Sequence, residues 1–173
     1  MCVARQLPKS CASAPDCFSS TSIARGATTE ATTRPWRTMS TLTGAWALLG
    51  YSMFSVIRRD TNEWIGRLGP WRPGGKEGSW PGDEVGWGLK SSAMGQGFAH
   101  EGAVAAIDWA FDHLGWDHVI HCIDKKNTPS IKLAERMGSQ LEREDHQLAP
   151  PFQDHKVDIY GQSKANWKAR RNA

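Results

Sequence analysis

The sequence has no apolar run approaching the roughly 18 residues that carry a helix across a bilayer, which excludes a helical membrane span. Cysteine is scarce, with four in 173 residues, and no Cys-x-x-Cys pair occurs: Cys2, Cys11 and Cys17 crowd the start and Cys122 stands alone. That spacing excludes the paired zinc pattern, and without a secretory apolar core the expectation is a reducing compartment. The six histidines form no cluster with ligand spacing, so no metal is expected. There is no collagen or heptad period, and the composition is not that of a fully disordered chain. What is present in quantity is tryptophan (nine) and glycine (seventeen), on a background 39 % hydrophobic and 23 % charged. Aromatic anchors combined with many special backbone positions suit a compact α/β domain.

Net charge is only +3, and its distribution carries more information than its size. Residues 1–35 hold four basic and two acidic side chains. Residues 164–173 hold Lys164, Lys168, Arg170 and Arg171 and no acid, which leaves −3 for residues 36–163. A nucleic-acid binder concentrates positive charge on a folded face, because phosphate neutralisation supplies most of its affinity. Here the charge is terminal, so no nucleic-acid partner is expected and residues 164–173 read as a solvated basic tail. Residues 1–35 are rich in Ala, Ser and Thr and lack an amphipathic face, so a disordered or irregular tail is expected there. Such a segment also has the composition of an organellar transit peptide, and a start codon assigned too far upstream would look alike. The expected compartment is the cytoplasm, or an organelle if the segment is a transit peptide.

The domain itself is expected over residues 36–163. Leu42, Trp46 and Leu49 recur at helical spacing and Gly50 supplies a stop. Residues 51–57 read as a strand, Asp60-Thr61-Asn62 as a turn, and residues 63–69 as the return strand of a hairpin. Residues 70–82, with four glycines and three prolines, read as a loop leading into a strand over residues 83–89. In that strand Gly86 and Gly88 suggest a bulge or a close backbone approach.

Two segments carry chemistry. Met94-Gly95-Gln96-Gly97-Phe98-Ala99 opens a helix extending to about His113, with an apolar face of Ala99, Ala103, Ala106, Ile107, Ala110 and Leu114. A glycine-rich turn entering a helix leaves backbone N–H groups converging at the positive end of the dipole, where they hold a phosphate or pyrophosphate. No Lys-Ser or Lys-Thr follows, so this is not a nucleotide P-loop, and the three-glycine dinucleotide pattern is not met. One strand later (residues 119–123), Asp124 to Ser130 leads into a helix over Ile131–Met137 stopped by Gly138. Asn127 is either the cap of that helix or a side chain at a strand end pointing into the crevice where such folds place ligands. Cys122, inside the apolar strand, reads as a core residue.

Together these residues resemble the GCN5-related N-acetyltransferase (GNAT) superfamily, in its RimJ/RimL-type branch. Glu84-Val85-Gly86-Trp87-Gly88-Leu89 after Trp80-Pro81-Gly82 is similar to the central strand of that branch. Gly95-Gln96-Gly97-Phe98-Ala99-His100-Glu101 is similar to the pyrophosphate loop and its helix, and Asn127-x-x-Ser130 through Gly138 to the last conserved segment. The sequence departs where the loop motif usually begins with Arg or Gln and Met94 stands, and where an aromatic hydroxyl is common and Ala134 stands. The resemblance implies a mixed central sheet flanked by helices. The family's usual first strand and helix are expected to be missing or replaced by the irregular tail.

The resemblance further implies acetyl-CoA as co-substrate, no metal, and a primary amine acceptor, either a protein N-terminus or a small molecule. The pantetheine would pair along the strand at Trp87, Gly88 and Leu89. Met94, Gly95, Gln96, Gly97, Phe98 and Ala99 would hold the pyrophosphate, and Asn127 and Ser130 the pantetheine. Glu84 is the candidate base, and Ser130 or Tyr160 the candidate acid for the departing thiolate. His100 reads as a first-turn surface residue. The expected reaction is direct attack within a ternary complex of a monomer or homodimer. The alternative is a non-catalytic acyl-CoA-binding relative with a degraded acceptor site.

Overall fold

The computed structural model describes residues 2–5, 30–73, 80–150 and 152–172. Over these the order is β1 (Cys2–Arg5), α1 (Glu30–Leu49), β2 (Phe54–Arg58), β3 (Trp64–Trp71), β4 (Glu84–Leu89), α2 (Phe98–His113), β5 (His118–Ile123), α3 (Thr128–Arg136), β6 (Gln140–Gln147), β7 (Lys156–Ser163) and α4 (Lys164–Arg171). The strands form one sheet in the order β1-β2-β3-β4-β5-β7-β6. Pairing is antiparallel from β1 to β4 and again among β5, β7 and β6, while β4 and β5 are parallel. This is the mixed α/β architecture that the sequence leads one to expect.

Local chemistry accounts for the elements. Asn62, at φ 55°, closes the β2–β3 hairpin, with the Thr61 amide held by the Asp60 carboxylate at 3.0 Å. The buried face of α2 is Ala103, Ala106, Ile107, Ala110 and Phe111, at spacings of three and four. Its small residues bring the helix close to the sheet, where Ile107 and Phe111 join Val56, Ile65, Leu68, Val85 and Val119 in the main core. Full burial of such side chains contributes about 1.5–3 kcal/mol each. Helix α3 is capped by Asn127, whose Oδ1 accepts from the Ser130 amide at 3.3 Å, and Gly138 ends it at φ 92°.

Three segments differ from expectation. At the N-terminus, Cys2–Arg5 form a strand paired with β2, and α1 begins at Glu30. A first strand and helix are therefore present, and the irregular stretch expected over residues 1–35 is shortened at both ends; residues 6–29 lie outside the described ones. Strand β3 continues through Pro70 and Trp71, which the loop over residues 70–82 was expected to contain. The basic C-terminus is a helix rather than a solvated tail. Trp167 is buried and donates from Nε1 to Asp108 Oδ1 at 2.7 Å, and Lys164 Nζ donates to the Phe111 carbonyl at 2.5 Å, so α4 is docked on α2.

Candidate active site

The site is created by a ladder that stops early. Strands β4 and β5 share one pair, Glu84 opposite Ile120, with the Ile120 amide donating to the Asp83 carbonyl at 2.9 Å. The next parallel rung would run from the Cys122 amide to the Val85 carbonyl. Both groups are instead taken by side chains. The Cys122 amide donates to Glu84 Oε1 at 3.2 Å, and the Val85 carbonyl accepts from His121 Nδ1 at 2.7 Å. Buried backbone groups must be satisfied, so these two contacts are what allow the strands to part. Among the described residues, no strand pairs with the edge of β4 that faces β5 beyond Glu84.

His121 is fully enclosed, and its partners fix its proton. A carbonyl can only accept, so Nδ1 carries hydrogen and Nε2 accepts from the Ser139 hydroxyl at 3.1 Å. Ser139 Oγ accepts in turn from Gln162 Nε2 at 2.9 Å, completing a one-way chain of donors. Burial pushes the His121 pKa down to about 4, so the ring is neutral near pH 7.

A cavity of about 170 Å³ opens at the divergence. Trp71, Trp80, Glu84, Trp87, Ser130 and Phe152 are among its walls, together with Asn127, His121 and Cys122. Glu84 is only 5 % exposed; its Oε2 accepts from Trp80 Nε1 at 2.8 Å. Burial pushes its pKa up to about 7, against the opposing pull of the Cys122 and Trp80 hydrogen bonds. Burial, and secondarily the Glu84 carboxylate, pushes the Cys122 thiol pKa well above its usual range. The expected core cysteine is thus half-buried on the cavity wall.

The candidate residues fall into three groups. Glu84, Trp87, Asn127 and Ser130 line the cavity, where Trp87 Nε1 donates to Ser130 Oγ at 3.2 Å. Asn127 caps α3, as one of its two readings had it, and is also among the residues lining the cavity. Gly88 and Leu89 run from it along β4, paired on the other edge with Arg67 and Gly66 of β3. The second group is the loop. A 3-10 turn over Ser91–Ala93 leads to half-exposed Met94, then Gly95 at φ 75° and Gly97 at φ 87° before Phe98 and Ala99 start α2. Gln96 Nε2 ties the loop to the Ser92 carbonyl at 2.8 Å. A Cβ built at Gly95 or Gly97 meets nothing within 4 Å, so the loop is an open cradle at a helix N-terminus, which fits a pyrophosphate. Tyr160 forms the third group alone. It is buried in a cluster with Ile123 and Ala134 against which Trp87 packs, one layer behind the cavity wall that Ile123 and Trp87 help form.

Sequence reading missed Trp80, His121 and Phe152 as parts of the site. His121 left a trace, a polar ring inside an otherwise apolar strand. Trp80 entered only as part of the motif before its strand, and Phe152 left no trace, because the meeting of their rings, edge to face at 5.6 Å, depends on how two loops fold back.

Residues 11–140 match the acetyltransferase (GNAT) domain family. The chain belongs to the GNAT acetyltransferase family. A curated relative, the uncharacterized N-acetyltransferase p20 of Bacillus licheniformis, is 34 % identical over 89 residues, 51 % of this chain and 48 % of the relative. The match therefore spans about half of that relative's length. Among solved structures, an acetyltransferase from Agrobacterium tumefaciens superposes with a TM-score of 0.72 at 24 % identity, covering 94 % of this chain and 91 % of that one. Mycobacterium smegmatis RimJ, solved with CoA-disulfide, superposes with a TM-score of 0.62 at 17 % identity over 82 % and 68 % of the two chains. At these identities the structural likeness concerns the GNAT fold alone.

Proposed function

We propose that this GNAT protein transfers an acetyl group from acetyl-CoA to a primary amine, a protein N-terminus or a small molecule, by direct attack with both substrates bound. The observation that carries the reading is the buried Glu84 carboxylate, titrating near pH 7, in a cavity at the β4–β5 divergence. A base with that pKa is ionised about half the time at neutral pH and matched to a proton that must leave an ammonium. Acetyl-CoA would supply the activated acyl group as a thioester. Met94, the backbone amides of Gly95 to Ala99, and Asn127 would bind it, and the free β4 edge at Trp87, Gly88 and Leu89 offers backbone pairing for its extended arm. Backbone N–H groups on that edge would stabilise charge at the reacting carbonyl. Glu84 would accept the amine proton, and Ser130 would return one to the thiolate. Tyr160 is the second candidate for the latter role, weakened by its position off the cavity wall.

Calorimetry with CoA, followed by acetylation assays over a panel of small amines and N-terminal peptides, tests the reading. Expected are CoA binding and release of free thiol with at least one amine class. CoA binding with no acceptor anywhere in the panel would instead support a non-catalytic acyl-CoA-binding relative.

A further inference from the structure

Gly86 lies two residues after Glu84 on β4, on the same face of the sheet, and pairs across with Gly69 of β3. Its φ is not positive, so no left-handed backbone requires a glycine there. What the glycine supplies is room. A Cβ built on it would come within 2.8 Å of Met53 Cε and stand 3.7 Å from Glu84 Oε1 and 3.9 Å from Trp71 Cβ. The space left open is therefore bounded by a carboxylate on one side and by Trp71, the residue of β3 directly opposite Glu84, on another. Trp80 closes a further side, its Nε1 on Glu84 Oε2 at 2.8 Å, and Phe152 meets Trp80 edge to face at 5.6 Å. Both of these rings pack against the buried cluster around Ile120 and Ile159, which fixes them as walls.

Glu84 takes two N–H donors, Trp80 Nε1 and the Cys122 amide, and among the described residues no cation pairs with it. A buried carboxylate so placed is complementary to an ammonium brought in by a ligand, and aromatic faces around it favour the same charge. The three rings offer the rest of such a ligand an apolar enclosure. Size sets the upper limit: an apolar cavity of about 150 Å³ holds one benzene ring. The cavity here, about 170 Å³, is shared with the acetyl group. We infer that the acceptor is a small primary amine with one ring-sized apolar body, seated on Gly86 between Trp71, Trp80 and Phe152 with its nitrogen on Glu84. Resting on the acetyl-transfer reading, this assignment chooses the small molecule over the protein N-terminus. A peptide brings a carbonyl and an amide next to its amine, and burying them against ring faces leaves hydrogen bonds unmade. Trp80 Nε1 is already engaged by Glu84. Arg67 and Lys156 also line the cavity, so an amine bearing a carboxylate, such as leucine, is the competing acceptor.

The test measures kcat/KM by thiol release from acetyl-CoA, on the full chain, with cyclohexylmethylamine, ethylamine (of similar basicity), leucine, and peptides beginning with Ala or Ser. Cyclohexylmethylamine should exceed ethylamine by at least about tenfold, the selectivity that one buried methylene already gives, and should exceed leucine and the peptides. Gly86→Ala should raise KM for cyclohexylmethylamine about tenfold and leave that for ethylamine nearly unchanged, because the added methyl takes the ring's place and displaces only the flexible end of Met53. Phe152→Ala, on the far side of the body, should cut the preference severalfold with CoA affinity unchanged. Calorimetry on the CoA-loaded protein reads amine binding independently of turnover. Leucine or peptides turned over faster than cyclohexylmethylamine, or equal losses for both alkylamines in the two variants, overturn the apolar acceptor site and leave acetyl transfer standing. Thiol release with no acceptor, while cyclohexylmethylamine still binds and Gly86→Ala weakens it, removes acetyl transfer and keeps the site. Neither binding nor turnover of that amine overturns the assignment.

Discussion

Glu84 owes its character to one missing backbone rung. Had β4 and β5 stayed paired, the Cys122 amide would have bonded to Val85 and the carboxyl would have had no reason to turn inward. Held instead by Cys122 and Trp80, it is buried, and burial pushes its pKa to about 7. Glu84→Gln should therefore lower kcat by about 10²–10⁴-fold with CoA affinity little changed, since positioned bases typically contribute in that range. In the parent, kcat/KM should rise as pH climbs through about 7, when the carboxyl deprotonates. A variant as fast as the parent at neutral pH would remove Glu84 from the chemistry. Cys122, its neighbour, makes the opposite case. With its thiol pKa pushed up, almost no thiolate exists to attack a thioester. Cys122→Ala should retain turnover, and acetylated Cys122 in mass spectra after exposure to acetyl-CoA alone would contradict direct transfer. Glu84 was legible in the sequence because its strand is distinctive. Trp80 and His121 were not, because what matters about each is a partner 4 and 36 residues away in sequence.

At the scale of elements, legibility follows the strength of local signals. Helix α2 was readable nearly to the residue and α3 to within a turn, its start lying three residues earlier than expected, because small apolar faces, an Asn cap, a Pro at the first turn and closing glycines all agree. Strand β6 was not. Its sequence, Gln140 to Gln147, is exposed along almost its whole length, so no alternation marks it, and only pairing with β7 defines it. Helix α4 was misread for a related reason: a single buried residue, Trp167, anchors it, and the remaining anchors are polar contacts to α2 and α3. The N-terminal strand likewise has no pattern in four residues and exists by pairing with β2. The glycine cradle, by contrast, is an element whose local geometry is its function. Gly97 sits at φ 87° with open space above it, where a branched residue would be strained and would stand in the path of a bound pyrophosphate. Gly97→Val should thus weaken CoA binding by tenfold or more while the fold persists by circular dichroism. A folded variant with parental CoA affinity would take the loop out of the site.

At the scale of the whole molecule, the divergence of β4 and β5 stores two titrating groups whose linkage to folding runs in opposite directions. Glu84 has an ordinary value of 4.5 and a folded value of about 7. Between those pH values the folded protein keeps a proton that the unfolded chain has released, so stability falls as pH rises through the window. His121 has an ordinary value of 6.5 and a folded value of about 4. Between those, the unfolded chain takes up a proton that the buried ring refuses, so stability is lost as pH falls. The two windows overlap from pH 4.5 to 6.5, where the slopes oppose one another. The parent should accordingly show a melting temperature nearly independent of pH across the overlap, declining on either side of it. Removing one group should expose the other. Glu84→Gln has no carboxyl to titrate, so its melting temperature should climb with pH from 4.5 to 6.5 and then level off, as the His121 linkage alone requires. Thermal unfolding followed by circular dichroism across that range decides the matter: a Glu84→Gln profile as flat as the parent's would mean that His121 is not held neutral at the splay, and that something else keeps the two strands apart.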